Sequence, residues 1–509
     1  MSASGVSENR QRASELVARD WRMLIGGSLV APGDGTTYAT SNPATGEHLA
    51  DAPFAGPRDI DRAVEAADAA SAGWAGLSLF ERIRCVMDAA AIVRRYASEL
   101  ALLDSIDSGN PISAMLADAH TAASIMSYFA GIAPEVKGST VPSSARNLHF
   151  TLREPFGVVG RITPSNRTVL FAAAKCVAPL LMGNTLILKA PDQTPLAPLY
   201  LAELLIDVFP PGVLNVVSGD GSTTGEALIE HPRVKRIAIT GSRSTGMRVQ
   251  AVAAAVGVKR VSLELGGKNP MIVFPDADLS AAVDGALAGM NFSVTAGQSC
   301  GSTSRLFVHA SIHDEFVSLL RERVSKIRVG DPLDPHTEMG CLVSRQQYER
   351  VMSAIASGTR EGARLLIGGG RPPEMTSQNG FFVAPTIFDR VRDEMRVASD
   401  EIFGPVVSIL TWNDVDEAIT RANSLTYGLT AAVWTRDIDT AFRAARSLDA
   451  GYVWVNGSSQ HFAGMPFGGH KESGTDYEES IDELLGFTEL KSINVMTGSQ
   501  SNSVTTGAI

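Results

Sequence analysis

Cys300 lies in the run Gly297-Gln298-Ser299-Cys300-Gly301-Ser302, where a turn of small residues would leave its sulfur open to an electrophile. A carboxylate, Glu264, stands upstream in Leu263-Glu264-Leu265-Gly266-Gly267-Lys268. A thiolate that adds to a carbonyl and a carboxylate that activates water suffice to form and then hydrolyse an acyl-enzyme. Asn166, in Pro164-Ser165-Asn166-Arg167-Thr168, could aim an amide N–H at a developing oxyanion, although asparagine near proline is also a simple turn former.

Further candidates suit a nucleotide. Lys189 and Asp192, in Lys189-Ala190-Pro191-Asp192, could hydrogen-bond ribose hydroxyls or form an ordinary surface ion pair. Gly219-Asp220-Gly221-Ser222-Thr223-Thr224-Gly225 opens a helix after a strand, but without the Gly-x-Gly-x-x-Gly spacing. Thr240-Gly241-Ser242 would offer backbone N–H groups and a hydroxyl to a phosphate. Taken singly, each is equally a tight βα turn.

Such side chains need a scaffold, and the apolar pattern supplies one. Residues 59–75 and 79–104 carry Ala, Val, Leu and Ile at three- and four-residue spacing, as amphipathic helices do. From residue 157 short β-branched runs (157–162, 184–189, 212–217) alternate with helical patterns, which predicts a parallel α/β sheet. The alternation resumes after Cys300 at 306–308, 406–410 and 431–434, implying a second α/β unit.

With 509 residues, 44% of them apolar, the chain has material for two or three domains. A net charge of -11 with no Lys/Arg block argues against nucleic acid and anionic membranes as partners. Four widely spaced cysteines fit neither a zinc site nor a disulfide scaffold, so a cytoplasmic location and no metal are expected. The first twenty residues lack the apolar segment of a secretory signal, and no run is long enough to span a bilayer.

Together with Glu401-Ile402-Phe403-Gly404-Pro405 and Pro466-Phe467-Gly468-Gly469-His470-Lys471, these motifs resemble, in order and spacing, the aldehyde dehydrogenase superfamily over about residues 23–495. The resemblance implies an α/β fold of two Rossmann-like parallel domains plus a small β oligomerisation arm. The implied NAD-binding domain is 21–135 and 154–264, the catalytic domain 265–475, and the arm 136–153 and 486–496, with flexible termini at 1–20 and 497–509. A homodimer or homotetramer acting on a small-molecule aldehyde follows.

Carried over by position, Cys300 is the nucleophile, Asn166 the oxyanion donor, Glu264 the base for the deacylating water, and Lys175 a proton-relay ammonium. For NAD, Ile162 and Pro164 supply backbone, Lys189 and Asp192 hold ribose, and Ser242 takes the pyrophosphate. Gly221, Gly225 and Leu265 border the cofactor, while Glu401 and Phe403 clamp the nicotinamide ribose. Substrate-side positions are Arg167, Ser165, Ala174, Val294, His461 and Phe467.

Three departures from the family pattern stand out. Asp192 replaces the usual Glu, and its charge still disfavours a 2′-phosphate. Thr475-Asp476-Tyr477-Glu478-Glu479 replaces a Gly-Arg-Glu run and is assigned no contact. Ser165, Arg167, Ala174 and Val294 stand where aromatic walls are common, so the entrance should be wider and more polar. Arg167 then points to an anionic, bulky or aromatic aldehyde, unless its guanidinium is turned into an internal ion pair.

Rival readings remain. A coenzyme A-acylating semialdehyde dehydrogenase would not need Glu264, and a cysteine hydrolase would need a histidine base. A catalytically silent binding protein could keep the same fold.

Overall fold

The computed structural model describes residues 4–144, 147–375 and 379–496. Two seven-stranded sheets organise them. In the first, Arg260–Glu264, Arg236–Thr240, Val158–Ile162, Thr185–Lys189 and Leu214–Val217 run parallel in that spatial order, and Met23–Ile25 and Ser28–Val30 extend the edge antiparallel. Chain order reverses between Val158–Ile162 and Arg236–Thr240, so the crevice at their carboxyl ends is the switch point where open α/β sheets take ligands.

Burial explains why these runs are strands. Every residue of Thr185–Lys189 and Leu214–Val217 is buried, as expected of parallel strands covered by helices on both faces. One covering helix, Pro57–Gly76, turns Ile60, Ala63, Val64 and Ala67 into the core, with Pro57 in its first turn, where a missing N–H costs nothing.

The second sheet is ordered Arg364–Ile367, Thr386–Asp389, Val406–Trp412, Arg305–His309, Pro270–Val273, Thr430–Trp434 and Tyr452–Val455. All its pairs are parallel except the one made by Arg364–Ile367. Its site-bearing loops come before its strands: Gly266 precedes Pro270–Val273, Cys300 precedes Arg305–His309, and Phe403 precedes Val406–Trp412. The amino edge of this sheet therefore meets the carboxyl edge of the first.

A separate three-stranded antiparallel sheet joins Thr140–Ser144, Asn147–Pro155 and Thr488–Met496. Its outer faces leave Leu148, Leu152, Leu490 and Met496 exposed.

Within the segment 1–20, expected to be flexible, the structure shows order over Ser4–Val17. Ser4–Val17 is a helix whose Ala13 is fully buried, packed with Leu102, Ile106 and Leu333. Asn9 Nδ2 donates to Leu333 O at 2.9 Å and Arg10 Nε to Asp331 Oδ2 at 3.0 Å. The polar composition hid an apolar contact whose partners are distant in sequence, from Leu102 to Leu333. The expected tail at 497–509 lies outside the described residues. No helix among the described residues is long and apolar enough to cross a membrane.

Candidate functional site

A cleft of about 390 Å³ separates the two sheet edges. From the first sheet it is lined by Ile162, Pro164, Ser165, Asn166, Lys189, Asp192, Gly221 and Ser242, and from the second by Cys300, Glu401 and Phe403. Residues nominated from scattered motifs thus share one space. Gln347 and Arg350, from the helix Arg345–Arg360, line it too. No motif marked them, yet Gln347 Nε2 donates to Ile402 O at 3.0 Å and Phe403 O at 2.6 Å, fixing the turn that carries Glu401 and Phe403.

The cysteine loop is held from below. Asn269 Nδ2 donates to Cys300 O at 2.8 Å and Ser302 O at 3.0 Å, while its Oδ1 accepts from Thr430 N at 3.1 Å. Gly297 has φ +74°, and a Cβ there would stand 2.4 Å from Gly404 O, so only glycine fits. Asn166 Nδ2 donates to Gln298 O at 2.8 Å, and Asn166 O accepts from Asn110 Nδ2 at 2.8 Å. The amide is thereby fixed beside the cysteine turn. An amide nitrogen carries two hydrogens, so a second donor remains for an oxyanion.

Burial, then the charges of Glu401 and Glu264, push the Cys300 thiol up to about 12. At rest it is a thiol, and addition to a carbonyl requires a proton acceptor. Glu264, only 5% exposed, has no hydrogen-bond partner on either carboxyl oxygen among the described residues. Burial and the neighbouring Glu478 charge hold it well above the ordinary carboxylate range. A carboxyl raised in this way is more readily protonated than an ordinary one and suits a group that takes and gives up protons.

Lys175 lies behind this pair. Its Nζ is 2.7 Å from Glu478 Oε2 and 3.6 Å from Glu483 Oε2, and Arg161 Nη2 donates to Glu478 Oε1. The segment 475–479, assigned no contact from the sequence, therefore supplies a central carboxylate. Only a long-range contact reveals it.

On the cofactor side, Lys189 is 3% exposed, and burial lowers its pKa against the pull of Asp192. No ion pair joins these two among the described residues, so the surface-pair alternative does not hold. Ser242 Oγ accepts from Thr245 N at 3.2 Å, capping the helix Arg243–Val256 at the cleft. Glu401 rests on Gly266-Gly267: its Oε1 accepts from Gly267 N at 3.2 Å, and a Cβ on Gly266 would collide with Oε2 at 1.9 Å. Gly225 and Leu265 are buried beneath the surface, Leu265 packing on Gly246.

The substrate-side residues divide. Arg167 Nε donates to Asp118 Oδ2 at 2.8 Å and its Nη2 to Asp118 Oδ1, so its charge is matched by a buried carboxylate. Ala174 is buried, 2% exposed. Ser165 Oγ donates to Gln193 Oε1 at 3.2 Å, and Val294 is half-buried. His461 and Phe467 belong to an aromatic group with Tyr452 and Trp454: the His461 and Phe467 rings lie 4.7 Å apart and Tyr452 stacks on His461 at 5.9 Å. Glu479 Oε2 lies 2.8 Å from His461 Nδ1.

The model of the aldehyde dehydrogenase family matches residues 30–493. An aldehyde dehydrogenase, tropH of Talaromyces stipitatus, is 46% identical over 466 residues, 90% of each chain. A mutant of the P. syringae AldA indole-3-acetaldehyde dehydrogenase, solved with NAD+ and IAA, superposes with TM-score 0.94 at 38% identity, covering 97% of this chain and 99% of that one. The NAD+ complex of a Bacillus cereus aldehyde dehydrogenase gives TM-score 0.92 at 38% identity, over 95% and 98% of the two chains.

Proposed function

The chain belongs to the aldehyde dehydrogenase family, and on that premise we propose that it oxidises a neutral, bulky or aromatic aldehyde to its carboxylic acid with NAD. The observation that carries this reading is the convergence of Cys300, Asn166 and the phosphate- and ribose-suited strand ends on one cleft, with the charge of Glu264 acting on the Cys300 thiol.

The residues suit the cofactor. The buried Thr240 Oγ1 in the cleft has no partner among the described residues, and Gly266 lacks the side chain that would displace Glu401. Ser242 and the first N–H groups of its helix would hold the pyrophosphate, Lys189 and Asp192 a ribose, and Glu401 with Phe403 the other ribose. Bound there, a nicotinamide supplies the two-electron acceptor for the hydrogen on the aldehyde carbon.

Cys300 gives up its proton to water in the cleft and adds to the aldehyde carbon, and Asn166 Nδ2 with the Cys300 N–H stabilises the resulting oxyanion. After oxidation the acyl group is a thioester on Cys300. Glu264 takes a proton from water, which attacks the thioester and frees the acid and the thiol. Glu264 favours this outcome over acyl transfer to a thiol, which would need no such base.

Arg167 is spoken for by Asp118, which removes the reason to expect an acidic substrate; the aromatic group of His461 packed on the buried Phe467 is the better guide. The exposed apolar residues of the three-stranded sheet favour a homodimer or homotetramer, and four free cysteines suit a reducing, cytoplasmic setting. Reduced-cofactor absorbance across an aldehyde panel tests the reading: turnover of aromatic aldehydes above acidic semialdehydes of equal length is expected. Absence of NAD reduction with every aldehyde would end it.

A further inference from the structure

Behind Cys300 the buried charges do not balance. The carboxyls of Glu264, Glu478 and Glu483, all buried, share their surroundings with the cations of Arg161 and Lys175, also buried. Glu478 engages both cations, Arg161 on Oε1 and Lys175 on Oε2. Glu483 Oε2 lies 3.6 Å from Lys175 Nζ and accepts from Glu479 N at 3.0 Å. Among the described residues its Oε1 has no partner, as neither oxygen of Glu264 has. Nearby Glu479 is occupied by His461.

Once Glu478 has neutralised one positive charge, a single one remains for Glu264 and Glu483 together. A second uncompensated carboxylate in this interior would cost several kcal/mol, on the order of the penalty for any buried unpaired ion. One proton must therefore reside on one of the two. A cavity of about 130 Å³ adjoins the cluster, lined by Arg161, Glu478 and Glu483 and by the more exposed Asp476 and Asp482. Arg236 also lines it and is held by Asp476 at 3.1 Å.

We propose that Glu264 and Glu483 share one proton, that Glu483 carries it while Glu264 acts as the base, and that the polar cavity exchanges it with solvent. Glu483 is thus a positioning residue for deacylation, and the idea rests on Glu264 being that base. In balance, a proton leaves the Glu264 carboxyl, an equivalent proton arrives on Glu483, Lys175 keeps its charge, and no electron moves. Glu264 then accepts the proton of the attacking water. The titration directions agree: burial raises Glu264 and Glu483, the latter against the pull of Lys175. Burial would raise Glu478 as well, but Arg161 and Lys175 hold it down to about 2.

The test is the pH dependence of thioester hydrolysis in single turnover. Glu483→Gln removes the competitor for the Lys175 charge, so Glu264 ionises more readily. The acidic limb should move down by about one pH unit, making hydrolysis roughly tenfold faster on its low-pH side. Glu483→Asp, whose carboxyl stands farther from Lys175, should shift the limb the same way by a smaller step, and serves if the first variant fails to fold. An unmoved limb in either folded variant, or a move to higher pH, overturns the proposal. Full steady-state turnover in Glu264→Gln would instead sink the role of Glu264 itself.

Discussion

Around the cleft, the groups suited to the cofactor and those suited to the chemistry form two walls, each drawing on both sheets, and the two are built on opposite principles. On the cofactor wall the polar groups are largely satisfied by their own neighbourhood: Asp220 Oδ1 accepts from Thr223 N at 2.7 Å, and Ser242 caps the helix it begins. On the catalytic wall they are left wanting, with both Glu264 oxygens and Asn166 Oδ1 buried and unpartnered. Recognition can be assembled from turns that a strand and helix make anyway. Chemistry needs unsatisfied polarity, and only packing between distant segments can hold it in place.

The harshest trial of this contrast is Cys300→Ala. It should abolish cofactor reduction while leaving NAD binding, read by fluorescence titration, within about twofold, as expected if binding and chemistry occupy separate walls. Loss of NAD affinity along with activity would mean that the walls are not separable. Asn166→Ala comes next, with a fall in turnover of about 100- to 1000-fold, typical of a lost oxyanion donor. A loss under about fivefold in the folded variant would show that the amide serves only Gln298.

Changes on the recognition wall should be gentler. Asp192→Ala is expected to raise the preference for NADP relative to NAD about tenfold, equivalent to about 1.4 kcal/mol of relieved repulsion. Paired specificity constants measure it, and an unchanged ratio would free Asp192 of that role. Ser242→Ala should lower stability by about 1 kcal/mol through loss of its cap and weaken NAD binding only a few-fold. A denaturant midpoint that does not move would show the cap to be dispensable.

The same contrast decides what could be read from the sequence. The strand ends carrying Ile162, Lys189 and Thr240 were legible because β-branched runs and turn residues adjoin in sequence. So were Cys300 and Glu264, through their small-residue surroundings and the family resemblance. Glu478 was not: its partner Arg161 is 317 positions away, and nothing local distinguishes it from a solvated acid. Gln347 was hidden for the same reason, as an ordinary polar residue on a helix until Phe403 O is brought to it. The pairing of Arg167 with Asp118, 49 positions apart, was foreseen only as an alternative, since charge alone cannot say which way a side chain turns.

The bond from Arg161 to Glu478 also has a meaning in time. A ribosome adding about 5–20 residues per second takes tens of seconds to travel from one to the other. Once residue 264 is made the first sheet has all of its strands, yet until residue 478 the guanidinium destined for its interior has no counter-charge, and burying it alone is unfavourable. Arg161 must stay hydrated until the chain is nearly finished. A polypeptide halted short of residue 478 keeps its nucleophile and nearly all of both sheets, but lacks the carboxylate that lets the interior behind them close.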